Sequence, residues 1–206
     1  MREQGQGGRC PPGAAAVRAA IFATALALGA GLCVLFADQP VALYFAQHTQ
    51  GRAWFEAAAV PSLLALPGAA LVLGVALLRG LPNVGRVWLV MSLATLAATA
   101  AKDELKWIFG RPWPQSWLQY GVYGFHPLND SALYGGFPSG HTAYISAPLC
   151  VLWVMKPRWR GVYAAVMAAV MVGLVGADYH FVGDVVAGLL TGMLCAWGTM
   201  VLMADA

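Results

Sequence analysis

The chain has 206 residues, of which 60% are hydrophobic and only 10% are charged. Soluble domains carry about a quarter charged residues, so this composition excludes an ordinary soluble protein and indicates a membrane protein. The formal net charge is +3, but the basic residues lie in the gaps between apolar runs, and no basic patch interleaved with aromatic residues is present for nucleic acid. We therefore expect the lipid bilayer, and no nucleic acid, as a partner; the sequence carries no signal of the oligomeric state.

The predicted elements begin with residues 1–16, which are rich in Gly, Gln and Pro and predict a disordered, cytoplasmic N-terminus. Six apolar runs follow, each of about the length that crosses the hydrocarbon core as a helix. They cover residues 17–37, 57–78, 87–109, 139–155, 162–177 and 184–203, with a polar, aromatic segment at residues 38–56. The first run could instead belong to a signal peptide, but it is long for that role and no clear cleavage site follows it. The sequence thus predicts an all-α, polytopic membrane helical bundle of about six transmembrane helices, with residues 17–206 as one domain.

The basic residues divide unequally between the two sides of the membrane. Eight lie on the side of the N-terminus and four on the other side, so the positive-inside rule places both termini in the cytoplasm. The loop of residues 110–137 and the link of residues 178–183 then face outward, to the periplasmic side if the membrane is a bacterial inner membrane. The eight are Arg2, Arg9, Arg18, Arg79, Arg86, Lys156, Arg158 and Arg160, and the four are Arg52, Lys102, Lys106 and Arg111.

Polar side chains at membrane depth are costly, so they usually face a cavity or a partner. In this chain they gather in three stretches at the outer ends of the third to sixth predicted spans. The first stretch, residues 106–114, has Lys106 at a helix end and Arg111 in the loop. Two fixed cations suit a phosphate, Arg through a bidentate contact and Lys as a point charge. The alternative is that both side chains reach the outer lipid headgroups.

The second stretch, residues 136–141, starts a helix with Pro138. The free amide groups of a helix N-terminus bind anions, Ser139 adds a hydroxyl donor, and Gly140 allows close approach of the backbone. His141 is placed to protonate a leaving oxygen. The alternative is an ordinary helix cap with an incidental histidine.

The third stretch, residues 178–184, contains His180 and Asp184, which are four apart and share one face of a helical turn. The carboxylate can fix the imidazole tautomer and leave the other ring nitrogen as a nucleophile. The alternative is a His–Asp pair that serves helix packing. A metal site with His141 is disfavoured, because the spacing is no standard zinc pattern and the nearby cations would repel a metal ion. The four cysteines show no CxxC spacing, so no zinc site, redox pair or other cofactor is predicted.

In their order and helix context, the three stretches resemble the type 2 phosphatidic acid phosphatase (PAP2) superfamily. Its pattern is Lys-x6-Arg-Pro, then Pro-Ser-Gly-His, then Ser-Arg-x5-His-x3-Asp. Residues 138–141 match the second motif in full, and His180-x3-Asp184 matches the second half of the third. Two family arginines are absent, because Trp113 stands where the first motif has Arg and residues 173–174 stand where the third has Ser-Arg. Arg111, two residues before Trp113, is a candidate replacement.

The resemblance implies a metal-independent phosphatase that acts on a lipid phosphate. His180 would attack phosphorus and form a phosphohistidine, while Asp184 would orient its ring. His141 would protonate the departing oxygen and later activate water. The substrate candidates are phosphatidic acid, phosphatidylglycerophosphate, an isoprenyl pyrophosphate and a lipid A phosphate. The implied phosphate-binding residues are Lys106, Arg111, Ser139 and Gly140.

Two other functions fit the same sequence. A lipid phosphotransferase on the same fold would use the same residues and pass the phosphoryl group to a second molecule. A non-catalytic membrane protein that binds lipid phosphates is favoured by the missing arginines. The presence of His180, His141 and Asp184 together favours an enzyme.

Overall fold

The computed structural model describes residues 12–80 and 84–204, and within these residues the fold consists of helices and connecting segments without a β-strand. The α-helices are α1 (Pro12–Leu32), α2 (Asp38–Gln47), α3 (Arg52–Ala59), α4 (Ala65–Arg79), α5 (Arg86–Phe109), α6 (Pro114–Tyr120), α7 (Gly140–Met155), α8 (Arg160–Gly176) and α9 (Val182–Leu202). A π-helical turn, Cys33–Ala37, joins α1 to α2 without a break, and a 3-10 turn, Val60–Leu64, does the same for α3 and α4. The predicted all-α class is confirmed.

Four helical stretches in the described part of the chain are long and apolar enough to cross a membrane: Ala16–Gln47, Arg52–Arg79, Pro157–Gly176 and Val182–Leu202. They correspond to the first, second, fifth and sixth predicted spans. The other two predicted spans correspond to α5, which carries four charged residues near its C-terminal end, and to α7, which has only 16 residues. The fold is that of an integral membrane protein, and the number of six spans stays a prediction.

The N-terminal third differs from the prediction in its boundaries. Helix α1 begins at Pro12, not at residue 17, and the helix continues past residue 37 to Gln47. Most of the segment 38–56 is therefore helical, and Asp38 does not end the first helix because it is buried in an ion pair with Arg111. The rest of the predicted disordered N-terminus, residues 1–11, lies outside the described residues.

Helix α7 lies at the centre of the bundle, against α5, α8 and α9, while α1 packs on α9, α4 on α5 and α3 on α8. The contact between α5, α7 and α9 is built largely from alanines, which let membrane helices approach closely. These alanines are Ala94, Ala98, Ala143, Ala147 and Ala196.

Two glycines of α9 allow its close contact with α7. A Cβ atom on Gly188 would lie 2.5 Å from the carbonyl oxygen of Ser139, and one on Gly192 would collide with Ser146 and Ala143. The two backbones therefore meet directly, which sets the N-terminus of α7 beside the first turn of α9.

Large apolar side chains cover the outside of the bundle. Leu77, Leu78 and Leu202 are each more than 80% exposed. Lipid tails are as apolar as leucine, so such a surface carries no hydrophobic penalty in a bilayer.

Candidate functional site

The loop between α5 and α7 folds back on the end of α5. Helix α5 stops at Gly110, whose φ of 54° and contact with the carbonyl group of His126 leave no room for a side chain. The amide of His126 donates to the carbonyl oxygen of Gly110 at 2.9 Å, and the amide of Gly136 donates to that of Arg111 at 2.8 Å. These bonds hold Gly110 and Arg111, in the first stretch, against the part of the loop that leads to the start of α7.

The start of α7 is joined in turn to α9. The amide of Ser139 donates to the carbonyl oxygen of Asp184 at 2.9 Å. The Ser139 hydroxyl caps α7 by accepting hydrogen bonds from the amide and the hydroxyl of Thr142, at 3.4 Å and 3.1 Å. The structure thus brings the three stretches together at one end of the bundle.

The two histidines face each other across a cavity of about 320 Å³. Their ring centroids lie 6.3 Å apart, and the link after α8 presents His180 while the first turn of α7 presents His141. The cavity is lined by Trp113, Gln115, His141, Asp178, Tyr179 and His180. Both imidazoles therefore border the same cavity.

Asp184 lies directly behind His180. Its Oδ2 atom is 3.5 Å from Nδ1 of His180 and accepts a hydrogen bond from the amide of Phe181 at 3.0 Å. The His180 ring is buried, and its Nδ1 has no hydrogen-bond partner within the described residues. A distance of 3.5 Å is longer than a formed hydrogen bond, and catalytic contacts commonly shorten when substrate binds.

Lys106 does not line the cavity but packs on Trp113, which lines it and stands where the PAP2 pattern has arginine. The Lys106 ammonium lies 4.9 Å from the centre of the Trp113 ring, which is 5.0 Å from the ring centre of His180. Lys102, one helical turn earlier, packs its aliphatic chain on Gly140, where a Cβ would lie only 2.7 Å from the lysine Cδ. Two cations of α5 therefore stand near the rim of the cavity.

Arg111, which the sequence predicts as a phosphate ligand, lies elsewhere. Its side chain is fully buried, and its two terminal nitrogens donate to Asp184 and Asp38 at 2.6 Å each. One of them also donates to the Tyr123 hydroxyl at 2.9 Å. Burial alone would lower the pKa of this guanidinium, but the two carboxylates more than offset that and hold its pKa above the usual value. In this structure Arg111 balances carboxylates and does not line the cavity.

Ser139 and Gly140 are also buried and do not line the cavity. The sequence predicts both as phosphate-binding residues. Only His141 of this segment lines the cavity in the described part of the chain.

Two carboxylates of the region have no place in the predicted site. Asp38, at the start of α2, is buried against Arg111 and was not predicted, although an acidic residue at the end of an apolar run is a signal of a buried partner.

Asp178 lines the cavity with a φ of 58°, and its buried Oδ1 has no hydrogen-bond partner among the described residues. Burial raises the pKa of Asp178 to about 6, although Arg52 lowers it in part.

The described residues contain no group of three or more His, Cys, Asp or Glu side chains arranged to hold a metal ion. The cavity is lined by two imidazoles and a carboxylate, and Lys106 packs on the Trp113 ring that lines it. This set suits phosphoryl transfer to an imidazole with cationic neutralisation of the phosphate oxygens.

Two known proteins are similar in sequence to part of this chain. The lipid A 1-phosphatase of Rhizobium etli is 34% identical over 93 residues, which cover 43% of this chain and 38% of the relative. The lipid A 1-phosphatase of Rhizobium johnstonii is 34% identical over 98 residues, which cover 45% of this chain and 37% of the relative. The match thus spans less than half the length of either relative. No solved structure matches the chain significantly.

Residues 86–206, which begin with α5 and include all three stretches, match the sequence profile described as the PAP2 superfamily. This region covers more than half of the chain and contains both histidines and Asp184. The chain therefore belongs to the PAP2 superfamily.

Proposed function

We propose that this protein is a membrane phosphatase that hydrolyses a lipid phosphate through a phosphohistidine intermediate. The observation that carries the proposal is the pair of histidines across one cavity, with Asp184 behind His180. Membership of the PAP2 superfamily and the names of the two relatives support a lipid phosphate as substrate.

The reaction proceeds in two steps. Nε2 of His180 attacks phosphorus, the bond from phosphorus to the lipid oxygen breaks, and His141 gives its proton to that oxygen. Neutral His141 then takes a proton from water, and the resulting hydroxide displaces His180 and releases inorganic phosphate. Asp184 stabilises the cationic ring of His180 in the intermediate, and no metal ion takes part.

Lys106 supplies the main positive charge for the phosphate oxygens in this proposal, with Lys102 beside it. Stabilisation of those oxygens is the largest catalytic contribution in phosphoryl transfer. The amides at the start of α7, including that of Gly140, add neutral donors with the positive end of the helix dipole. Arg111 does not serve as a phosphate ligand here, because both ends of its guanidinium are occupied.

The substrate reaches the site by lateral diffusion in the outer leaflet. The charge distribution supports this part of the proposal, because the positive-inside rule favours cytoplasmic termini and a cavity on the periplasmic side. Among the candidate substrates, a lipid A phosphate is favoured by the names of the two relatives.

The test is phosphate release by the purified full chain in detergent from phosphatidic acid, phosphatidylglycerophosphate, an isoprenyl pyrophosphate and lipid A. We expect release from at least one lipid without an added acceptor, and a loss of roughly 10³-fold or more in His180→Ala. The matched control is His48→Ala, since His48 is an exposed histidine outside the site; it should keep wild-type turnover. Wild-type protein that releases no phosphate, or only with an acceptor alcohol, contradicts hydrolysis and favours a binder or a phosphotransferase respectively.

A further inference from the structure

We infer that Asp38 and Arg111 are positioning residues that act through Asp184 on His180. This inference rests on the proposed function, because it assigns to the two residues an effect on the nucleophile of that reaction. Helices α1 and α2 lie outside the region that matches the PAP2 superfamily. The inference makes them contributors to the chemistry of the site.

The contacts form one continuous chain of charges. Asp38 Oδ2 lies 2.6 Å from Nη2 of Arg111, and Nη1 of Arg111 lies 2.6 Å from Oδ1 of Asp184. The other oxygen of Asp184 faces Nδ1 of His180. The side chains of Asp38, Arg111 and Asp184 are fully buried, so water does not weaken these interactions.

The same carboxylates hold the backbone directly after His180. Asp38 Oδ1 accepts a hydrogen bond from the amide of Gly183 at 2.7 Å, and Asp184 Oδ2 accepts one from the amide of Phe181. Gly183 has to be small here, because a Cβ atom would lie 2.9 Å from Oδ2 of Asp38. Movement of Asp38 would therefore shift the segment that presents His180.

A second tie connects Arg111 to the junction of α1 and α2. Its Nη2 donates to the Tyr123 hydroxyl, which donates to the carbonyl oxygen of Val34 at 2.7 Å. The planar guanidinium is thus fixed from three directions, and it fixes the rotation of the Asp184 carboxylate. A carboxylate that cannot rotate keeps Oδ2 directed at His180.

The charge of the cluster suits the intermediate. Arg111 and Asp184 alone would be neutral, and Asp38 adds one negative charge behind His180. A phosphorylated imidazole carries a positive ring, which this charge stabilises. Stability alone does not explain the cluster, because apolar residues of similar volume commonly replace buried ion pairs without loss of stability.

The test compares Asp38→Asn and Arg111→Lys with wild type, Asp184→Asn and His180→Ala. Asp38→Asn keeps the shape of the side chain and removes its negative charge. Arg111→Lys keeps the positive charge and removes the planar guanidinium group that bonds both carboxylates. The readout is the single-turnover rate constant of the cleavage step with enzyme in excess over the best lipid substrate. Because the enzyme is in excess, this constant does not depend on the folded fraction of the protein, as a steady-state rate does. Ser92→Ala, which removes a buried hydroxyl of α5 bonded only to its own helix, is the matched control.

We expect roughly a 10- to 100-fold fall in the rate constant for both positioning variants, as for other residues that orient a functional imidazole, with KM changed less than threefold. Ser92→Ala should match wild type. Wild-type rate constants in Asp38→Asn and Arg111→Lys, alongside inactive His180→Ala and impaired Asp184→Asn, would overturn the positioning role and leave the proposed function intact. An active His180→Ala would instead overturn the proposed function itself.

Discussion

Trp113 lies between Lys106 and His180. Where the PAP2 pattern has an arginine, this chain has an aromatic ring that carries the Lys106 ammonium on one side and contacts the His180 ring. A charge-assisted hydrogen bond contributes about 1.5–3 kcal/mol, so we expect the absence of two arginines to lower the affinity for phosphate. In the proposed function, Lys106 on Trp113 replaces part of that positive charge.

Asp178 gives the protein a measurable dependence of stability on pH. Its pKa is raised from 3.8 to about 6, mainly by burial. The folded protein therefore keeps this proton where the unfolded chain releases it, so the contribution is complete below about pH 4 and is lost as the pH rises through about 6. We expect Asp178→Asn to be more stable than wild type at pH 7, by no more than about 3 kcal/mol, and equal to it at about pH 4.

The measurement is thermal unfolding in detergent for both proteins between about pH 4 and about pH 7. Asparagine is the suitable replacement, because it tolerates the positive φ of this position as aspartate does. A difference in melting temperature that stays constant over this range would contradict the prediction.

Sequence reasoning predicted that His141, His180 and Asp184 share one site, and the structure brings the three side chains close together. It did not identify the partner of Arg111. Asp38 and Arg111 lie far apart in the chain. In addition, a charged residue after an apolar run is equally typical of the end of a membrane span. The packing of α1 and α2 against α9 and the contact with Arg111 bury Asp38.

Helices α7 and α9 control the relative position of the two histidines, because their backbones meet at Gly188. A side chain there would push on the carbonyl oxygen of Ser139 and on Thr142, at the turn that carries His141. We expect Gly188→Val to lower the free energy of unfolding by about 1–3 kcal/mol and to reduce phosphate release as well.

The matched control for this prediction is Gly198→Ala on the same helix, since no atom lies within 4 Å of a Cβ placed there. Alanine favours a helix over glycine by about 1 kcal/mol, so this variant should be equal to wild type or more stable, with unchanged turnover. The measurements are melting temperature and phosphate release in detergent. Equal effects of the two substitutions would show that the α7–α9 contact is not as close as described.

The bounds of α5, α7, α8 and α9 agree with the predicted spans to within two residues, because glycines, prolines and charges mark their ends. The prediction for α1 and α2 was wrong at residue 37. The sequence rule that charge ends an apolar helix fails where the fold supplies a counter-charge, as Arg111 does for Asp38.

The whole molecule has one apolar outer surface, and the charge distribution along the chain sets its proposed orientation in the membrane. We predict that a cysteine at Ser131, exposed in the α5–α7 loop, faces the periplasm and that a cysteine at Arg158, exposed between α7 and α8, faces the cytoplasm. In a background without the natural cysteines, a membrane-impermeant maleimide should label the first in intact cells. The second should react only after the cells are permeabilised, and the reverse pattern would place the cavity on the cytoplasmic side.

The ion pair between Asp38 and Arg111 also bears on which part of the chain can fold stably on its own. The region that matches the superfamily starts at residue 86, after the helical pair that supplies this carboxylate. A fragment cut to those limits would contain both histidines, yet it would leave an arginine at its centre with one counter-ion removed and the amide of Gly183 without its acceptor. We therefore expect the fragment of residues 86–206 to be less stable than the full chain.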